Sequence, residues 1–174
     1  CEKFMRCFVD NGYWKWLLEG LGKTLIITVF AVLIGFVFGV ILATIRSSYD
    51  KNEESLKLRG SLGYTLLKIA NAICKAYITL IRGIPVVVQL MIWYFVILVT
   101  QKNGVIIAIV AFGFNSAAYV AEIFRGGIMS IDEGQFEAGR SLGFNYVQTM
   151  MHIVSPQTIK AVLPTLLNEI IALL

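Results

Sequence analysis

Two acidic side chains lie inside apolar runs of this sequence: Glu122 in VIIAIVAFGFNSAAYVAEIF and Glu169 in AVLPTLLNEIIALL. An ionisable group at membrane depth is costly and is read first as functional. Asn115 and Tyr119 precede Glu122, and Asn168 adjoins Glu169, so each acid has hydrogen-bonding neighbours. Asn115 and Glu122 are about two helical turns apart and share a face. That face could line a pore and meet an ammonium group or another cation. Arg125, three residues beyond Glu122, offers an ordinary intrahelical ion pair instead. Gln89 fits either pore lining or a hydrogen bond between helices. Arg82 and Pro85, in RGIP, fit a role in shaping the entry of the following helix.

Other reactive side chains point to no chemistry. His152 is the single histidine, with no second one to share a metal, and reads as a helix-surface residue. Cys1, Cys7 and Cys74 lack both the number for a disulfide framework and the spacing of a zinc site. No G-x-x-x-x-G-K-[ST] phosphate loop is present. The basic residues are not interleaved with aromatics as on a nucleic-acid face; they read as membrane-topology signals.

A second constellation, EAGRSLGFNYVQTMMHIVSPQ, is charged, punctuated by glycine and flanked by apolar runs. Ser130-x-x-Glu133 has capping-box spacing, which predicts a helix from near Ile131 to Leu142. Gly143 is the residue type that ends a helix in the left-handed conformation. Asn145-x-x-Gln148 predicts a second cap and a helix ending before Pro156. Val147, Met150, Met151 and Val154 fall on one face of it. Gly134, Ala138, Gly139 and Gly143 leave the first helix with a bare flank. Interior glycine costs ~1 kcal/mol against alanine, so close approach by another surface is expected. On the residues alone, a docking element and a plain surface hairpin both remain open.

The elements that position these groups are membrane helices. Of the 174 residues, 57% are hydrophobic and 15% charged, with a net charge of +4. Mean hydropathy is +0.76. A water-soluble domain of this size carries closer to ~25% charged residues, so lipid is the expected solvent. Spans are expected at about 24–45, 84–100, 105–124 and 160–174, with a polar connector over 46–70 and a segment at 130–156 outside the bilayer. Gly35-x-x-x-Gly39 would let a second helix approach the first span closely. The last run is too short, at ~1.5 Å per residue, to cross a ~30 Å core, and the chain opens on Cys1; a fragment of a longer protein is expected. Lysine and arginine cluster at 46–75 and 125–160, which places both connectors in the cytoplasm and the N-terminus outside. Lys3, Arg6, Lys15 and Lys23 run against that bias.

The segment at 130–156 resembles the cytoplasmic signature of bacterial ABC importer permeases: EAA, a glycine, nine residues, then I-x-L-P. Glu137-Ala138-Gly139 stands for EAA, Gly143 for the glycine, and Ile153-Val154-Ser155-Pro156 for I-x-L-P. Gly139 in place of the second alanine is the form of the polar-amino-acid subfamily, EAGRSLG; Ser155 replaces leucine. IRGIPVVVQL is similar to that subfamily's IRGTPLLVQL, FNSAAYVAEIFRGGI to NSAAYVAEIFRGGI, and LPTLLNEII to LPALGNEFI. The likeness runs from about Gly20 to Leu174.

The resemblance implies an all-α, polytopic transmembrane bundle of the ABC importer permease type, with four of five core spans visible. It also implies a bacterial inner (plasma) membrane location and no enzymatic activity of its own. ATP and Mg would belong to a cytoplasmic ATPase dimer. A second permease, identical or homologous, and an extracellular solute-binding protein complete the expected partners, with an amino acid as substrate and no nucleic acid. Glu137, Ala138, Gly139 and Gly143 match the ATPase-docking positions, and Phe144 is added as their neighbour. Asn115, Tyr119, Glu122, Asn168 and Glu169 are the expected substrate pathway. The residues alone leave open a channel or ion-coupled carrier that needs no ATPase, and a non-transporting membrane scaffold.

Overall fold

A computed structural model describes residues 13–58 and 62–174, with side chains described at 13–51 and 63–174. Cys1, Cys7, Lys3, Arg6 and Arg59, and the side chain of Lys57, lie outside the described residues.

An uncharged aliphatic run offers nothing to stop a helix. The first helix, α1, accordingly covers Tyr13–Leu58 without a break. It is followed by α2 (Leu62–Gly83) and α3 (Val86–Ile92), the latter widening into a π turn at Trp93–Ile97. Next come α4 (Gly104–Met129), the short helices α5 (Glu133–Ser141) and α6 (Tyr146–Thr149), a second π turn at Met150–Val154, and α7 (Ser155–Leu173). Among the described residues every element is helical. Three helices among the described residues are long and apolar enough to cross a membrane: Tyr13–Lys51, Gly63–Gly83 and Gly104–Met129.

The connector expected over 46–70 is therefore largely helical. Its polar residues continue α1 to Leu58, then α2 starts at Leu62. Lysine, glutamate and leucine are good helix formers, and no proline intervenes, so the lost hydropathy did not mean lost helix.

The bundle is organised around α1 and α4. A methyl group built on Gly35 would lie 2.7 Å from Ser116 Cβ, and one on Gly39 would lie 2.6 Å from Val120 Cβ. The two backbones thus approach as closely as a bare Cα allows. Where lipid is as apolar as the side chains, such packing replaces the hydrophobic drive as the cohesive term. Ala31, Ala43, Ala111, Ala117, Ala118 and Ala121 are buried, whereas Leu33, Phe38 and Val29 point outward.

Gly35 faces Ser116, Gly39 faces Val120 and Arg46 meets Glu122, so residue numbers rise together along the pair and α1 and α4 run in the same direction. Parallel helices need one net return crossing between them, and α2 and α3 supply it together. In contrast, α7 meets α4 with falling numbers: Gly127 packs on Thr158 and Val162, and Ser116 faces Glu169. The Thr28 hydroxyl donates to Leu173 O at 3.1 Å, tying the end of α7 to α1. α7 is antiparallel to both.

Gly39→Leu should destabilise the protein by about 1–3 kcal/mol through overpacking. Gly22→Leu, where nothing lies within 4 Å, should be close to neutral. Thermal unfolding in detergent compares the two.

Candidate functional site

The hairpin between α4 and α7 is built from local capping. Ser130 does not start α5: its hydroxyl still donates to Gly127 O at 2.8 Å, closing α4. Asp132, in extended backbone, caps α5 by accepting from Gly134 N at 2.7 Å. The expected box at Ser130 and Glu133 is thus replaced by an aspartate two residues on. The stop is as expected, with Leu142 as the C-cap and Gly143 at φ 80°. Phe144 N donates to Gly139 O at 3.0 Å, and Gly143 N to Arg140 O at 2.9 Å. The box at Asn145 and Gln148 is complete, both bonds 2.9 Å.

The second helix does not end before Pro156. It continues through the π turn into α7, with Pro156 in the first turn. The Ser155 N–H still bonds Met150 O across the π turn, and Pro156, which has no N–H to give, sits where the ladder returns from the wide to the ordinary spacing. Gln157 Nε2 donates to Ile153 O and to Gln135 Oε1, each at 3.0 Å, meeting a carbonyl near the break and holding α5 against α7.

The bare flank of α5 divides in two. Gly139 is buried, and a methyl group there would lie 2.6 Å from Thr149 Oγ1, so this glycine serves packing within the hairpin. Glu137, Ala138 and Gly143 are exposed. Phe144 is half-buried, its ring 5.9 Å from that of His152. Leu142, Val147 and Met151 are 70%, 61% and 65% exposed, whereas Val154 is fully buried. The expected apolar face of the second helix is therefore split between bundle and surface. From α1, Lys51 reaches Glu133 at 3.4 Å and lies 4.8 Å from the Phe136 ring centroid.

Inside the bundle the polar residues form two systems. Pro85 has no N–H to give Ile81 O. Gln89 Nε2 donates to Ile81 O at 2.5 Å and to Ile84 O at 2.8 Å, and its Oε1 accepts from Asn115 Nδ2 at 3.1 Å. Asn115 thus braces the break between α2 and α3. The second system is ionic. Glu122 Oε2 meets Arg46 at 2.9 Å, Glu122 Oε1 meets Arg125 at 2.7 Å, and Arg125 meets Asp50 at 3.2 Å. Both the intrahelical pair and an interhelical one are formed. Beside them, a cavity of about 490 Å³ is lined by Arg46, Lys75, Thr79, Arg82, Tyr119 and Glu122. The Arg82 guanidinium lies 5.2 Å from the Tyr119 ring centroid. On α7, Asn168 is exposed and Glu169 half-buried.

With this geometry in hand, comparison with known proteins is direct. Residues 60–174 match the family described as the binding-protein-dependent transport system inner membrane component. The chain belongs to that family. It is 35% identical over 161 residues to the Bacillus subtilis protein named probable amino-acid ABC transporter permease YckA, covering 91% of this chain and 64% of that one. It is 38% identical to the arginine transport system permease ArtQ of the same organism, covering 90% and 65%. It is 37% identical to the glutamate/aspartate import permease GltK of Escherichia coli, covering 91% and 67%. The chain thus spans about two thirds of the length of these relatives.

Among solved structures, an amino acid ABC transporter crystallised with histidines superposes with a TM-score of 0.75 at 34% identity, covering 94% of this chain and 69% of that one. A methionine ABC transporter in an inward-facing conformation shares the fold, with a TM-score of 0.72 at 23% identity, covering 92% and 71%. The all-α permease fold and the family read from EAGRSLG are the ones found. The chain is a membrane protein of this family.

Lys75 and the Arg46 side of the cavity were not singled out in the sequence. The signal was present: Lys75 and Arg82 are about two helical turns apart and share one face of α2.

Two measurements follow from the polar systems. Asn115→Leu and Gln89→Leu should each cost about 1–3 kcal/mol by leaving buried groups unmet. The double variant should cost less than their sum, read as coupling in a thermal double-mutant cycle. Glu122→Gln removes a carboxylate from two cations at partly exposed sites and should cost about 1–3 kcal/mol. A melting temperature left unchanged by Glu122→Gln would contradict its role as the α1–α4 tie.

Proposed function

We propose that this chain is the permease subunit of an ATP-driven amino-acid importer, crossing a bacterial inner (plasma) membrane several times and docking onto a cytoplasmic ABC ATPase dimer through the hairpin at 130–156. The observation that carries this is the hairpin's outward face. Glu137, Ala138 and Gly143 are exposed beside the strongly exposed Leu142, Val147 and Met151. Apolar side chains gathered beside charges at the end of a membrane bundle suit a protein partner. Gly139 and Thr149 hold α5 on α6, with the Phe144 ring tilted against that of His152, so the face is presented on a braced scaffold.

In this reading ATP and Mg are held by the partner, whose closure pushes on the hairpin. A second permease, identical or homologous, completes the pore, and an extracellular solute-binding protein delivers the amino acid. The relatives' names, arginine for one and glutamate and aspartate for another, support an amino-acid substrate. Asn168, Glu169 and Tyr119 are assigned to the translocation path. Asn115 and Glu122 would border it as the hydrogen-bonded brace and the ion-paired tie.

The test is capture of the ATPase by full-length permease in detergent. Leu142→Asp and Met151→Asp, both at exposed sites, should leave the melting temperature unchanged. Each should weaken association about tenfold or more, as expected where an apolar contact is central to an interface. Unaltered capture and unaltered ATP-dependent uptake in both variants would overturn the docking role. Uptake by proteoliposomes without ATP or ATPase would point to the channel or carrier alternative.

A further inference from the structure

The cavity between α1, α2 and α4 has an excess of cations. Arg46, Lys75 and Arg82 line it, and its single carboxylate, Glu122, is already held by Arg46 and Arg125. Neither Lys75 nor Arg82 has a carboxylate within ion-pair distance among the described residues. Tyr119 covers the face of the Arg82 guanidinium, a contact that leaves the in-plane N–H donors available. Arg46, whose side chain is 12% exposed, gives one terminal nitrogen to Glu122. Its Nε is buried with no protein acceptor. A buried donor without a partner is costly, and an anion's oxygen would satisfy it. The volume, about 490 Å³, lies within the range of small-ligand sites.

An acid of opposite sense lies outside that lining, on α7. Glu169 is half-buried, faces Ser116 and lies within the electrostatic reach of Arg82. The two form no ion pair. Opposite charges held near each other but apart match a ligand that carries both signs. The cation excess disfavours a positively charged group at this end.

We propose that the Arg46–Lys75–Arg82 cavity is the subsite for the α-carboxylate of an amino-acid zwitterion, gripped by Arg82 and supported by Lys75 and Arg46 Nε, with the ammonium group directed to Glu169. The inference rests on the permease reading and assigns the substrate's polarity within it. Arg82 is then a specificity-determining residue: it selects the group common to all α-amino acids, leaving the side chain to be read elsewhere.

Calorimetric titration of the full-length permease–ATPase complex tests this. The probes are L-arginine, L-glutamine and L-glutamate, each against its α-carboxamide. At least one free acid should bind about tenfold or more tightly than its carboxamide, the difference expected when a charge-assisted pair is lost. Arg82→Gln should reduce that preference to within about threefold, and Lys75→Gln should reduce it in part, both without loss of ATPase capture. Glu169→Gln should weaken acid and carboxamide alike, because both carry the ammonium.

The proposal is overturned if the unaltered complex binds acids and carboxamides equally or binds none of the three. It is also overturned if Arg82→Gln keeps the full preference, or if inorganic phosphate binds and no amino acid displaces it. Should Arg82→Gln not fold, judged by its melting temperature, Lys75→Gln and the unaltered complex decide. ATP hydrolysis in the same preparations separates the two readings. An associated, active ATPase with no preference for the acid sinks the subsite alone, whereas failure to capture any ATPase sinks the permease reading.

Discussion

The close approach of α1 and α4 is the constraint on which the rest of the molecule depends. Gly35 and Gly39 bring the helix backbones together against Ser116, Ala117 and Val120. That spacing lets the short carboxylate of Glu122 reach Arg46 on the other helix at 2.9 Å. Beyond the apolar seam, the same parallel course carries Lys51 to Glu133 and Phe136. A bulkier seam would separate all of these pairs at once. The cavity inherits its geometry from the same contact, since Arg46 comes from α1 and Tyr119 and Glu122 from α4.

A second constraint comes from backbone polarity. Pro85 removes a backbone donor within an apolar run, and an unmet carbonyl in such a setting costs of order ~1–3 kcal/mol by protein mutational measures. The break at Pro85 is served by a nearby glutamine. Gln89 meets Ile81 O and Ile84 O, and Gln157 meets Ile153 O. Both amides also extend a bond to another helix, Gln89 with Asn115 and Gln157 with Gln135. At Gln89, repair of the backbone and cohesion between helices are thus accomplished by the same side chain.

The sequence was most legible where a local rule acts within a few residues. Gly143 in the left-handed region and the reciprocal box at Asn145 and Gln148 follow from short-range geometry, and the structure has both. Gly35-x-x-x-Gly39 pointed to a close helix neighbour, though not to which one. Legibility fell where two rules compete. Ser130 and Asp132 are both good caps, and the choice went to Asp132 because Ser130 was still bonded to α4. Pro156 reads as a stop, but the π turn before it lets the helix pass through. The polar stretch after Arg46 was read by hydropathy, which reports the solvent of a helix and not its existence. At the candidate site, the pairing of Glu122 with Arg125 was visible as a spacing. The pairing with Arg46 and the cluster with Lys75 and Arg82 required three helices to converge.

The passage from α6 through the π turn into α7 has a mechanical consequence. From Tyr146 to Leu173 there is no loop to absorb motion. At ~1.5 Å per residue this path is about 40 Å long, with the π turn and Pro164 inside α7 as its points of bending, and tilting it as a unit by ~5° sweeps its far end through ~3.5 Å. Glu169 rides near that far end, and Thr28 tethers the tip to α1. A small displacement at the hairpin is therefore geared up at the acid, with Thr28 acting as the stay that limits its arc.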